Sequence, residues 1–393
     1  MADKPAPFEL LKSYSGLIHR QPLFIADQLN VDSYHLSFLT KQGESLDDDA
    51  EVPKFIEQLP SILPAISERQ KALLSLPESW RETLLNVHES DMNLTLDVDQ
   101  DAAPTTDNNL FSFALHASLK QDSDSNTLLI DLAEFNTDML TEHLPTWRKK
   151  HDILCATNVN ERDEYSFCQQ HDLDLLQGQF YTLPAANDNK KISPSVQILM
   201  ELLVKLQDPE VEAKELANII SLDVSLSYKL LRLINSAFFG LRREVDTLQQ
   251  ALVMLGHSKI KTWASLLSLS GIDDKPKELR IVAMTRAKMC ELLAKYYKGQ
   301  PDTFFAVGLF STLDALMDKS LPSLLENLPF SPELKQALQH HSGAAGRALN
   351  DVLNYEKGDW VALNNSPLPV EIIARAYLDA INWAKELNTQ LHD

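Results

Sequence analysis

One group of residues stands out by charge. Arg232, Arg242, Arg243, Lys259 and Lys261 lie between Leu230 and Lys261, against only Glu244 and Asp246. The whole chain, by contrast, carries a formal charge of −20. A local basic cluster in so acidic a chain can hold an anion such as a nucleotide or phosphate, or an acidic partner surface. Arg242, Arg243, His257, Lys259 and Lys261 are the candidate contacts. Helix N-termini expected at Thr247 and Ser258 would add backbone N–H donors. The competing reading is plain: solvated cations complementing the dipole of a helix C-terminus.

Other reactive side chains are spaced against chemistry. His340 and His341 are adjacent, and neighbours on a helix point about 100° apart, so they cannot readily chelate one ion. Cys155, Cys168 and Cys290 form no CxxC pair and read as buried free thiols. GxxxxGK[ST], GxGxxG and HExxH are absent. On these residues neither a cofactor nor a metal is expected.

The elements that must position such residues fall into two halves. Residues 1–187 carry 13 Lys+Arg and 31 Asp+Glu, and residues 188–393 carry 23 and 25. The acidity thus belongs to the first half, which would repel nucleic acid and anionic lipid. There, "NLTLDVD" alternates Leu94, Leu96 and Val98 with polar residues, a strand of period two. "TLLIDL" and "DILCAT" are short apolar runs suited to buried strands, with helical stretches such as "TDMLTEHLPTWRKKH" between. Strands alternating with helices favour parallel βα units. "PAANDNKKISP", from Pro184 to Pro194, is polar and turn-rich and reads as a linker.

Beyond the linker the pattern is helical. Leu226, Leu230, Leu233, Ile234 and Ala237 share one face. Phe238 and Phe239 close that face, and Gly240 follows as a C-cap. Thr247 and Gln250 are spaced as a capping box, and Gly256 ends the next helix. The N-terminus has no apolar run resembling a signal peptide, and no stretch approaches the ~18 apolar residues of a membrane span. The expected location is cytoplasmic.

"LLRLINSAFFGLRREVDTLQQALVMLGHSKIKTW" resembles the signature of the HDOD domain, a helical relative of the HD phosphohydrolases in bacterial signalling proteins. The resemblance runs over roughly residues 193–377, takes in "FAVGLFSTLDALM", and extends to "NYEKGDW", a tail similar to that of a subgroup in which an EAL-type domain precedes the HDOD domain. EAL domains hydrolyse cyclic di-GMP with two carboxylate-held metal ions. By this resemblance the ligand asparagine matches Asn86 in "LLNVHES", a ligand glutamate matches Asp97, a conserved aspartate matches Asp131, and "LLQGQFYTLP" keeps Gln177. The remaining positions have changed: His35 and Leu39 stand at the opening motif, His116 and Ala117 at the paired aspartates, Leu129 at the catalytic lysine, and Thr157 and Asn160 at two late glutamates. In the HDOD half the His-Asp pair of HD hydrolases would fall at Ser311 and Thr312, with Asp314 nearby.

These readings imply an N-terminal α/β domain over residues 1–185, degenerate EAL-like and derived from a TIM barrel, followed by an all-α HDOD domain over 186–393. The first is short against the ~250 residues of a full barrel, so missing elements are expected. The expected function is non-catalytic signal transduction through contacts with other signalling proteins, linked to cyclic di-GMP and to motility or biofilm control, with Asn86, Asp97, Asp131 and Gln177 as vestiges. The alternatives are a module for a nucleotide or small anion, or a weak residual cyclic di-GMP phosphodiesterase. A homodimer is compatible with the sequence; double-stranded DNA and membrane are not expected partners.

Overall fold

The structure is a computed structural model. It describes residues 7–67, 71–86, 94–98, 112–118, 125–184, 205, 211–221, 224–235, 245–247, 250–251, 253–254, 256, 275–328 and 330–392. It divides into two compact units, Met1–Tyr181 with Asn354–Leu378, and Thr182–Leu353 with Asp379–Asp393.

The first unit is built on a closed eight-stranded barrel. Its strands are β1 (Leu17–Ile25), β2 (Val31–Leu39), β3 (Lys71–Ser75), β4 (Leu94–Val98), β5 (Ser112–His116), β6 (Thr127–Asp131), β7 (Ile153–Thr157) and β8 (Leu175–Gln177). β1 runs antiparallel to both its neighbours, and β2 to β8 are parallel. The shortness of this half therefore removes no strand. A closed barrel needs all eight ladders, because an open edge would leave unpaired N–H and C=O groups.

Inside the barrel, side chains two apart on a strand share a face. Leu23, Leu73, Ala114, Leu129 and Cys155, with Leu175 against them, form one apolar cluster. The sequence places Ser75, His116, Asp131, Thr157 and Gln177 two residues further along β3, β5, β6, β7 and β8. A polar ring at the C-terminal mouth thus follows from the same alternation that makes the plug beneath it. This is the face on which barrel enzymes carry their sites.

The segment "NYEKGDW" packs within this unit. Tyr355 Oη donates to the Ile18 carbonyl at 2.8 Å, and Tyr377 Oη to that of Arg20 at 3.1 Å. Trp360 stands edge-on to His19 and to Tyr355, each at 5.3 Å between ring centres. Asn364 Nδ2 donates to the Gln42 carbonyl at 3.2 Å.

The second unit is helical among the described residues. Lys277–Leu293 and Pro301–Phe310 pack closely, and Gly308 permits it: a Cβ there would lie 2.4 Å from the Arg286 carbonyl oxygen. Lys275 and Asp318 form a buried ion pair. Leu230 and Ile234 are fully buried on Val224–Ile234, as the helical spacing predicts. Thr247 Oγ1 accepts from the Gln250 N–H at 3.2 Å, but the Gln250 side chain turns to the N–H of Asp246 at 3.1 Å. Gly256 has φ +77°, as a helix-ending glycine requires. No described helix is long and apolar enough to cross a membrane.

Candidate functional site

Asp97, one residue before the end of β4, lies inside the mouth of the barrel, with a side chain only 11% exposed. His116, ending the neighbouring β5, brings Nε2 to 2.9 Å from Asp97 Oδ1. The other carboxylate oxygen, Oδ2, accepts from Ser75 Oγ at 2.6 Å. His35 Nε2 lies 2.6 Å from the same hydroxyl and 3.8 Å from Oδ2.

The donors in this array have a fixed direction. Ser75 spends its one proton on Asp97, so His35 must donate from Nε2 to Ser75. His35 Nδ1 is then the acceptor, and Gln177 Nε2 supplies its proton at 3.1 Å while also donating to Gln21 Oε1 at 2.5 Å. The order Gln177 to His35 to Ser75 to Asp97 therefore holds a neutral His35. Burial pushes the His35 imidazole down, and the nearby Asp97 charge only partly offsets it. For Asp97, burial alone would raise the carboxyl, but the contacts to His116, His35 and Ser75 outweigh it and hold it below the usual carboxylate range.

His116 is the accessible member, with its side chain 49% exposed. It opens on a cleft of about 280 Å³ whose lining also includes Ser37, Leu39, Asp48, Ser75, Arg81 and Asp97. An exposed imidazole backed by a buried carboxylate is a general-base arrangement, since the carboxylate orients the ring and stabilises its protonated form.

The other sequence candidates are placed differently. Asp131, at the end of β6, accepts from both Asn158 Nδ2, at 2.8 and 2.9 Å, and the Ala133 N–H, and has no described contact with Asp97. Asn86 is not on a strand: it caps the helix Glu78–Leu85, and its amide donates to the Glu82 carbonyl at 2.9 Å. The strand end that reaches Asp97 on that side belongs to Ser75, which the sequence reading missed. Alternation along "KALLS" two residues beyond Leu73 was the available signal. Leu129 lies in the apolar plug, and Asn160 caps the turn by accepting from the Gln179 N–H at 3.0 Å. Arg242, Arg243, His257, Lys259 and Lys261 lie outside the described residues, as do Phe238, Phe239 and Gly240.

In the helical unit, Ser311 Oγ and Thr312 Oγ1 donate to carbonyls of their own helix, Gly308 and Leu309, at 2.7 and 2.9 Å. His341 has φ +50° as the left-handed cap of Pro332–His340. The two-metal chemistry implied by an EAL resemblance needs several oxygen ligands around each ion. Asp97 is already engaged by two imidazoles and a hydroxyl, and among the described residues no group of three or more His, Cys, Asp or Glu is arranged to hold a metal. The residues present do not fit that metal pair.

The HDOD domain family matches residues 192–329. Cyclic di-GMP phosphodiesterase CdgJ of Vibrio cholerae is 32% identical over 240 residues, which are 59% of this chain and 56% of that protein. The uncharacterized protein YuxH of Bacillus subtilis is 30% identical over 251 residues, 62% of this chain and 61% of that one. The chain thus spans about three fifths of the length of these curated relatives. Among solved structures, a putative phosphohydrolase of Shewanella amazonensis aligns with TM-score 0.39 and 18% identity, over 53% of this chain and 99% of that one. A standalone EAL protein of Vibrio cholerae with cyclic di-GMP bound aligns with TM-score 0.32 and 14% identity, over 42% and 90%. The expectation of a non-enzyme is overturned by the first relative, a named phosphodiesterase sharing nearly a third of the aligned residues. Residues 192–329 match the HDOD family, in a chain that also holds an eight-stranded barrel and is 32% identical, over 240 residues, to a protein named a cyclic di-GMP phosphodiesterase.

Proposed function

We propose that the chain is a hydrolase of a cyclic di-GMP signalling system, with its site at the C-terminal mouth of the barrel. The observation that carries this reading is the 32% identity to a named cyclic di-GMP phosphodiesterase. The mouth offers chemistry suited to it. His116, backed by Asp97, takes a proton from a water whose oxygen attacks phosphorus. One phosphorus–oxygen ester bond breaks, and the leaving oxygen takes a proton from solvent, giving a linear dinucleotide. His35 and Ser75 hold Asp97 in place. One general base typically contributes about 10²–10⁴-fold, so slow turnover is expected from a site with so few charged groups.

The experiment is incubation of the full chain with cyclic di-GMP, with Mg²⁺, with Mn²⁺ and with chelator, followed by chromatography for the linear dinucleotide. Slow product formation that falls at least tenfold in both His116→Ala and Asp97→Asn supports the reading. Absence of product under all three conditions sinks it. Contacts with partner signalling proteins are assigned to the HDOD domain, on the resemblance and on the basic group from Arg242 to Lys261; capture by the wild type but not by Arg242→Glu with Arg243→Glu would support that assignment.

A further inference from the structure

We infer that Arg81 is the residue that binds the phosphate of a nucleotide in this cleft. The inference deepens the hydrolase reading and rests on it for the identity of the substrate. Arg81 lies in the helix Glu78–Leu85 directly after β3, and its side chain lines the same cleft as Asp97 and His116. Every other charged group on that lining is already engaged. Asp48 accepts from the Glu78 N–H at 3.2 Å and so serves the start of the helix. Asp97 is held by His116, His35 and Ser75. Arg81, half-buried, makes no side-chain hydrogen bond or ion pair among the described residues, and its backbone N–H donates to the Pro77 carbonyl at 3.1 Å.

A guanidinium held at a cleft wall without an internal partner is suited to an incoming anion. Its planar fork matches the two free oxygens of a phosphodiester, and it cannot lose its charge near neutral pH. The neighbouring wall is apolar or hydroxyl-bearing, with Leu39, Leu76, Pro77, Ser37 and Ser45. Such a wall competes little for the cation. Arg81 would therefore fix the phosphate, while His116 in the same cleft meets the attacking water. A volume of about 280 Å³ is at the small end of ligand sites, so one nucleotide unit would enter.

The test uses the full chain and three variants, Arg81→Ala, Arg81→Lys and Arg81→Glu, titrated calorimetrically with cyclic di-GMP and, in parallel, with 5′-GMP. Hydrogen bonds to a charged group are worth about 1.5–3 kcal/mol, so Arg81→Ala should weaken binding about 10–100-fold. Arg81→Lys should recover part of the loss, and Arg81→Glu should bind most weakly. Melting temperatures should stay close to wild type, because no internal contact is removed. Where wild type hydrolyses cyclic di-GMP, a loss below threefold in Arg81→Ala overturns the inference and leaves the hydrolase reading standing. Where wild type does not hydrolyse it, the hydrolase reading fails, and the 5′-GMP titration decides: binding lost in Arg81→Ala upholds the role of Arg81, and binding absent or unchanged overturns it.

Discussion

Trp360 occupies the space that a side chain at Gly43 would need. A Cβ built on Gly43 would lie 2.1 Å from the indole Cγ, and the backbone there has φ +84°. Two separate constraints therefore select glycine, one steric and one conformational. Left-handed backbone costs an L residue about 1–2 kcal/mol, and overpacking typically costs about 1–3 kcal/mol. Gly43→Ala should lower unfolding stability by about 2–5 kcal/mol, measured by denaturant titration. Adding Trp360→Ala should remove the steric share only, so the second substitution should cost less in the Gly43→Ala background than in wild type.

His19 makes stability depend on pH. Burial pushes its imidazole down to about 4, despite the Glu356 carbonyl 3.1 Å from Nε2. The unfolded chain, with an ordinary histidine near 6.5, binds the proton first as pH falls. Stability is thus full above about 6.5 and is lost as pH drops toward 4. At pH 5 the loss from this group alone is about 2 kcal/mol relative to pH 7. His19→Gln should flatten the profile by that amount, read as the difference between wild-type and variant unfolding curves at the two pH values. Parallel profiles would show that His19 already carries its proton in the folded protein.

Asp97 and Asn86 should separate in activity. Asp97→Asn removes the charge that holds His116, and should lower turnover of cyclic di-GMP by 10²-fold or more. Asn86→Ala removes only a helix-end contact to Glu82, and should leave kcat within about twofold while costing ~0.5 kcal/mol or so in stability. Equal losses in the two variants would place Asn86 in the site.

Cys155, Cys168 and Cys290 are all buried, and burial raises each thiol well above its ordinary range, Cys168 to about 12. A buried protonated thiol is a poor nucleophile. In the native protein none should react with an aromatic disulfide reagent over minutes at pH 8, and all three should react once the chain is unfolded. A fast-reacting thiol in the native state would contradict this burial.

Much of the fold was legible because it rests on periodicity. Leu94, Leu96 and Val98 alternate with Thr95 and Asp97, and they are buried on β4 as that pattern requires. β3, "KALLS", gave no such signal, because its buried run Ala72, Leu73 and Leu74 is indistinguishable from a short piece of helix. Missing that strand left Ser75 out of the candidate residues and kept Asn86, at a helix end, among them. The reversal of β1 was likewise illegible, since strand direction is set by closure of the sheet and not by local pattern. The site itself was half visible. His35, Asp97 and His116 were each noted as positions where a metal-binding group was replaced or shortened. Their convergence on one carboxylate appears only when β2, β4 and β5 are brought side by side, and it turns an acid that reads as an ordinary strand end into the centre of the mouth.

The presence of Asn354–Leu378 in the barrel unit has a consequence for synthesis. A ribosome making this chain completes all eight strands by Gln177, yet Tyr355, Trp360 and Tyr377, which contact β1 at Ile18, His19 and Arg20, emerge only after residues 192–329, which match the HDOD family, have been made. The nascent barrel must wait, with the flank of its first strand uncovered, through the translation of an entire second domain.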